Sequence, residues 1–524
     1  VRALGARGDA TLTDLLVKSA SDKDEGVQVA ALEGLGRLHD EKNAPVVLNL
    51  AKTGGEKAKA AAVLAYLEIG KALVEPDRPR AIAIFHEALG LAAGDAEKGA
   101  ALGCIASVGA PESLPLVRPL MEQGSDTVKR AAAGALVAIG EALVNSGEAT
   151  QAQELLTGAI PHLEDRNLLR RAAAAMRAMG KPVALGAERG YLTEYWVLGP
   201  AGSREDLRKG DVVPTDARVD IAKTVMVGDQ SRLWQYRPTD DPVGHVDFEQ
   251  AVGQINDNGA YAYVEFEVPA AQDALIKVGS DDDEVTWLNG KKVVEYIGDR
   301  GWNADQDTAE VQLQAGANWV LSKVLNGGGQ WALSVRLTDR EGKPLAVKQW
   351  SKTPADIVAL RGCISSYWVL GPFAGRETMR TAAPVNPAAP IDLAQAVKQG
   401  EETQSWRWVS VSDVRGMLNL QRVIGNMQDV GCYLYAEVTS EKAQDVLLKI
   451  GSDDDVYCWL NGELVHENPA ARPWGEDQDV VKARLQQGAN RILLKVLQGG
   501  GDWAASVRIT DPEGNPLVLA QRKP

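Results

Sequence analysis

Cysteine is scarce in this chain: four in 524 residues, at Cys104, Cys363, Cys432 and Cys458. Their spacing fits no zinc pattern and supplies no disulfide framework of the small secreted kind. The five histidines, His39, His86, His162, His245 and His466, include no i, i+4 pair, so the helical zinc-hydrolase arrangement is absent. No G-x-S-x-G elbow, Walker loop or dinucleotide fingerprint occurs either. Positive charge is in deficit, with a formal net charge of −15; such a balance repels phosphate backbones and argues against nucleic-acid binding. No apolar run approaches the roughly 18 residues of a membrane span. Tryptophan is missing from the first 195 residues, although 13 follow between Trp196 and Trp503.

That last absence divides the chain. Residues 1–182 are rich in Ala, Leu, Glu and Lys, which suits helices. The remainder is rich in Val, Trp, Gly, Asp and Asn, which suits sheets and turns. Because the chain opens on Val1, and Val1–Gly5 reads as the end of a helical repeat, we expect a processed chain or a piece of a longer one.

Within 1–182 an Ala-rich stripe at helical spacing recurs and ends on Gly36, Gly70, Gly109, Gly140 and Gly180. Intervals of 31–40 residues indicate an α-solenoid, whose repeats bury their apolar faces only by stacking. Each glycine is expected to close its helix in the left-handed conformation. The segment Gly109–Gly140, with Pro111 opening a helix, Pro119 within it and Asp126 before the next, resembles a HEAT repeat. The resemblance implies a surface for protein partners or self-association, or a spacer.

The remainder is one domain written twice. YWVLGP begins at Tyr195 and Tyr367, GSDDD at Gly279 and Gly451, WLNG at Trp287 and Trp459, and DQD at Asp305 and Asp477, always 172 residues apart. Alternating segments such as Ala260–Val268, and the Asn289-Gly290 and Asn461-Gly462 hairpin turns, make each copy all-β. The expected architecture is multidomain: a HEAT-like all-α solenoid (1–182) followed by two tandem all-β, jelly-roll-like sandwiches (183–355 and 356–524). Trp196, Trp331, Trp368 and Trp503 are expected in their cores. The Gly327–Gly329 and Gly499–Gly501 runs read as bulges or tight turns, not phosphate loops.

Chemistry concentrates at the aspartate runs Asp281–Asp283 and Asp453–Asp455, whose mutual repulsion demands compensation. One route is calcium, a hard cation suited to carboxylates. Here GSDDDEVTWLNG and GSDDDVYCWLNG resemble the β-sandwich domain named for anthrax protective antigen, which also occurs in adhesins and beside glycosidase domains. The resemblance implies calcium at Asp281, Asp282, Asp453 and Asp454, with a glycan held through it. It covers about twenty residues per copy, and Asp283 and Asp455 stand where the family has glycine. Asp305, Asp307, Asp477 and Asp479 are candidates to add charge, and Asp283, Asp455, Asn289 and Asn461 to line the ligand site. A second route is an internal salt bridge to Lys323 or Lys495, each set in an otherwise apolar strand. The third is ordinary turn hydrogen bonding, and the fourth is catalysis by paired carboxylates. Trp302 and Trp474, in charged loops, are placed either to stack on a sugar ring or to seal the end of the sandwich.

These features describe a non-catalytic binding or scaffold protein of a bacterial envelope or the extracellular space. The alternatives are a subunit of a self-assembling layer, filament or complex, and an accessory region of a carbohydrate-active enzyme.

Overall fold

The computed structural model describes residue 1 and residues 10–350, 352–381, 384–399 and 402–523. Most of the Val1–Gly5 reading therefore lies outside the described residues. The chain forms two compact units, Val1–Arg189 with Asp240–Val243, and Gly190–Thr239 with Gly244–Pro524.

The first unit is helical, with successive helices such as Glu25–Arg37, Ala44–Thr53, Glu56–Ala72, Arg78–Leu91, Asp95–Val108, Leu114–Gln123 and Asp126–Asn145. Side-chain caps start several of them: Asp24 accepts the Gly26 and Val27 amides, and Ser125 accepts that of Val128. Ser125, rather than Asp126, is thus the cap of its helix, and Asp126 is the first helical residue. The core is built from alanine and branched aliphatics, including Ala62, Leu67, Ile84, Ala101, Ile105 and Ile139. The loop segment Asp240–Val243 belongs here because buried Asp241 pairs with Arg166 at 3.0 Å and Arg170 at 2.6 Å.

The glycines follow two rules, not one. Gly109 ends its helix with φ 56°, and Gly180 has φ 71°, as expected of left-handed caps. Gly36, Gly70 and Gly140 lie inside helices. There, a Cβ would stand 2.9 Å from Ala65 Cα, 2.6 Å from the Phe85 ring and 2.9 Å from Leu156 respectively. These three glycines permit close approach of neighbouring helices rather than chain reversal.

In the β unit, each copy has a seven-stranded and a four-stranded sheet with the same order. In the first copy the large sheet runs Gln235–Pro238, Glu194–Leu198, Asn258–Val268, Gly316–Asn326, Asp283–Leu288, Lys291–Tyr296, with Lys348–Trp350 also on Asn258–Val268. The small sheet runs Asp307–Leu313, Gln272–Asp281, Ala332–Thr338, Val246–Asp247. All these pairings are antiparallel. Alternation gives the central large-sheet strands two apolar faces. One contributes Val264, Val320 and Val324 to the core with Ile276, Val278 and Val335 of the small sheet. The other carries Trp196, Tyr261, Tyr263, Trp287 and Trp319 under Val213, Val219 and Ile221. Trp331 and Trp503 are fully buried, whereas Trp368 is half-buried, at the margin of its aromatic cluster.

The ends of each copy meet. Gln349 Oε1 accepts the Thr193 and Glu194 amides at 2.6 and 3.2 Å, while its Nε2 donates to the Tyr191 carbonyl at 3.0 Å. Gln521 repeats the clasp on the Ser365 amide at 2.8 Å and the Ser366 carbonyl at 3.1 Å.

Candidate functional site: the acidic crossover

The aspartate run is where the chain crosses between sheets. Gln272–Asp281 belongs to the small sheet and Asp283–Leu288 to the large one, with a cis Asp281–Asp282 peptide between them; Asp453–Asp454 is likewise cis. All six aspartates are buried.

Asp282, Asp283, Asp454 and Asp455 are satisfied on both oxygens from within, whereas Asp281 and Asp453 each accept a single amide. Asp283, fully buried, accepts from Arg204 at 2.7 and 3.0 Å, from Arg208 at 2.6 and 3.0 Å, and from the Gly298 amide at 2.7 Å. Asp455 repeats the arrangement with Arg376 at 2.6 Å and Arg380 at 2.7 Å. The guanidiniums sit four residues apart on short helices, Arg204–Lys209 and Arg376–Thr381, so both point to one carboxylate. Burial pushes the Asp283 carboxyl up, but Arg204, Arg208 and the Gly298 amide overcome it and hold it at about 2. Asp455 is lowered in the same way against burial.

Asp282 accepts the Arg300 amide at 3.0 Å on one oxygen and the Gly327 amide at 2.8 Å on the other. Asp454 does so with Arg472 at 3.1 Å and Gly499 at 2.8 Å. The glycine runs thus serve close backbone approach: a Cβ on Gly327 would meet Arg204 Nη1 at 2.3 Å. Asp281 accepts the Trp302 amide at 3.3 Å, and Asp453 that of Trp474 at 3.3 Å. Burial, then the neighbouring Asp282 or Asp454 charge, raises Asp281 and Asp453 to about 6.

Calcium takes six to eight oxygen ligands, and matching pairs of arginines already occupy both oxygens of Asp283 and Asp455. Both oxygens of Asp282 and Asp283 already accept hydrogen bonds, as do those of Asp454 and Asp455. Among the described residues no group of three or more His, Cys, Asp or Glu is arranged to hold a metal. The other acids are engaged too. Asp305 pairs with Arg336 at 2.9 Å and Asp307 with Arg300 at 2.5 Å. Asp477 pairs with Arg508, and Asp479 with Arg472 and, at 3.0 Å, His466.

The lysines do not reach the run. Lys323 Nζ bonds Asp211 at 2.7 Å and the Leu207 carbonyl at 2.6 Å. Lys495 Nζ bonds the Met379 and Arg380 carbonyls at 2.7 and 3.3 Å and lies 4.2 Å from the Tyr457 ring centre. Lys323 emerges on the same face as Asp283, two positions along the strand from the residue that pairs with it, but Arg204 and Arg208 already occupy that carboxylate. Lys323 faces the aromatic side of the large sheet, 5.8 Å from the Trp287 ring centre.

Asn289 and Asn461 adopt φ 50° and 54° in the hairpin turns, and they bond Asn318 and Asn490 at 2.8 and 3.0 Å. Trp302 and Trp474 are half-buried, their indoles donating to Ser334 and Ser506 at 3.2 and 3.1 Å. Their loops cross directly over the first glycine of GSDDD: a Cβ on Gly279 would lie 1.9 Å from the Asn303 carbonyl.

Arg204, Arg208, Arg376 and Arg380 escaped the sequence reading, although each pair obeys the 172-residue register. So did Glu284, which is fully buried with neither carboxylate oxygen bonded. Burial raises it to about 7. The Thr286 hydroxyl that opposes this slightly is itself paired with Ser322 at 2.6 Å. The second copy has Val456 at this position, in its apolar core.

Comparison with known proteins agrees with the helical part. A family profile for HEAT repeats matches residues 1–66. No curated protein matches the chain. Solved structures similar to it include an anti-sigma factor domain-containing protein at 12% identity and TM-score 0.21, covering 55% of this chain and 92% of that one. A glycosyl hydrolase family 2 member from Bacteroides cellulosilyticus shares 10% identity at TM-score 0.19, covering 64% and 35%. A GH2 β-galacturonidase from Eisenbergiella tayi shares 9% at 0.18, covering 63% and 42%. The chain is thus a helical region with HEAT repeats followed by two tandem all-β domains of antiparallel sheets.

Proposed function

We propose that this chain is a non-catalytic binding and scaffold protein of a bacterial envelope or the extracellular space. In this reading the helical region makes protein contacts, and the paired sandwiches are rigid modules that present a glycan-binding surface. One observation carries the non-catalytic part. Asp283 and Asp455, the fully buried carboxylates of the two runs, are each held by a matching pair of arginines. A group held in two guanidinium forks has no free lone pair for a proton, a metal or a nucleophilic attack. The HEAT repeats support protein contact, because stacked helical repeats expose extended surfaces.

The test is a pair of assays on the full chain. A panel of aryl glycosides and polysaccharides should show no turnover above buffer, while immobilised polysaccharides should retain the protein with EDTA present. Turnover abolished by Asp283→Asn, or retention that requires calcium, would refute it.

A further inference from the structure

A cleft of about 750 Å³ lies where the first β copy meets the second. It is lined by Arg232, Gln235 and Arg237 of the first copy and by Asp413, Arg415 and Glu476 of the second. The charges do not cancel. Asp413 is held by Arg415 at 2.6 and 3.0 Å, and Glu476 by Arg361 at 2.7 Å. Arg232 and Arg237 meet no carboxylate among the described residues. Arg237 donates to the Tyr236 and Ala251 carbonyls at 3.2 and 3.5 Å and to Gln235. Arg232 donates to the Pro200 carbonyl at 3.3 Å and to Gln230. Both are partly withdrawn from solvent, and burial lowers the Arg237 guanidinium.

Two partly desolvated cations without a counter-ion are costly, most of all in a chain of net charge −15 with many carboxylates available. The fold does not require them. In the second copy the matching positions are Gln404 and Val409, and Glu476 matches Ala304. The cleft therefore departs from the duplicated pattern, whereas the acidic crossover repeats it.

We propose that this cleft binds a small acidic sugar. Its carboxylate neutralises Arg232 and Arg237, and its hydroxyls meet polar groups such as Gln235 and Ser412. Arginine suits this role because its planar fork matches a carboxylate. The assignment deepens the glycan part of the proposed function and rests on it for the ligand class.

Calorimetry on the full chain with glucuronate, glucose and inorganic phosphate tests it. Glucuronate should bind with a Kd below about 1 mM, and glucose and phosphate at least about tenfold more weakly. Arg237→Gln and Arg232→Gln should each weaken glucuronate at least about tenfold, and Arg237→Lys should restore part of the loss. Melting curves identify any variant that fails to fold, and the other variant then decides. A glucuronate Kd above about 10 mM, wild-type affinity in the folded variants, or phosphate binding as tight as glucuronate overturns the proposal. Retention on neutral polysaccharides with glucuronate silent would overturn the cleft while leaving the broader glycan reading intact. Failure of both removes the glycan reading as well.

Discussion

Glu284 should make the first β module lose stability as pH rises, and Glu284→Val should remove that loss. The carboxyl is fully buried with both oxygens unbonded, and burial raises it from the ordinary 4.5 to about 7. An acid whose folded-state proton affinity exceeds its unfolded one stabilises the fold in its protonated form. That contribution is complete below pH 4.5 and disappears as pH passes through about 7. At about 1.4 kcal/mol per tenfold change in affinity, the loss is about 3 kcal/mol by pH 8. Valine already occupies the matching core position, Val456, so the replacement suits the architecture. The smaller side chain costs about 1 kcal/mol in packing, a term independent of pH. Melting of the full chain at pH 5 and pH 8 should separate the two. The variant should gain little or nothing at pH 5 and about 2 kcal/mol at pH 8, or several degrees at about 2–4 °C per kcal/mol. Wild-type and variant curves that run parallel from pH 5 to pH 8 would refute the burial argument.

Asp283→Ala leaves Arg204 and Arg208 without their shared acceptor and should cost about 3–5 kcal/mol in urea unfolding. Asp455→Ala should do the same in the second copy. With Asp283 held at about 2, its contribution should persist above pH 4 and fade only as pH drops through 2 in acid titration. Gly70→Ala should destabilise the helical region by about 1–3 kcal/mol, because the new Cβ meets the Phe85 ring at 2.6 Å. Gly99→Ala, inside a helix with nothing within 4 Å, should instead stabilise it by about 0.5–1 kcal/mol; circular-dichroism melts read both. Millimolar calcium and EDTA should leave the melting temperature unchanged, since both oxygens of Asp282 and of Asp283 are already bonded.

Most of the architecture was legible because it rests on local signals. The Asn-Gly pairs specify hairpin turns through their positive φ, and the 172-residue register identifies the second copy without any structural knowledge. The partners of the aspartate run were not legible. The arginine partners lie 75 to 79 residues away, and nothing in local pattern says which distant cation will meet a buried anion. A clue existed: Arg204 and Arg208 recur as Arg376 and Arg380, with Glu205 as Glu377, in segments whose remaining residues differ between Ser203 and Lys209. Lys323 drew attention instead because its strand is apolar, and it does share a face with Asp283, but Asp211 and the Leu207 carbonyl hold its ammonium. The helix glycines misled in a similar way. Close approach and chain reversal both favour glycine, and only the neighbouring helix distinguishes them.

The glutamine clasp bears on how such a chain can grow. Since Gln349 and Gln521 each fasten the last segment of a sandwich to its first strand, entrance and exit lie beside the same strand, Asn258–Val268 or Val430–Ser440. A further unit spliced in at that seam would leave every internal pairing untouched. Lengthening by whole units therefore demands no refolding of those already present.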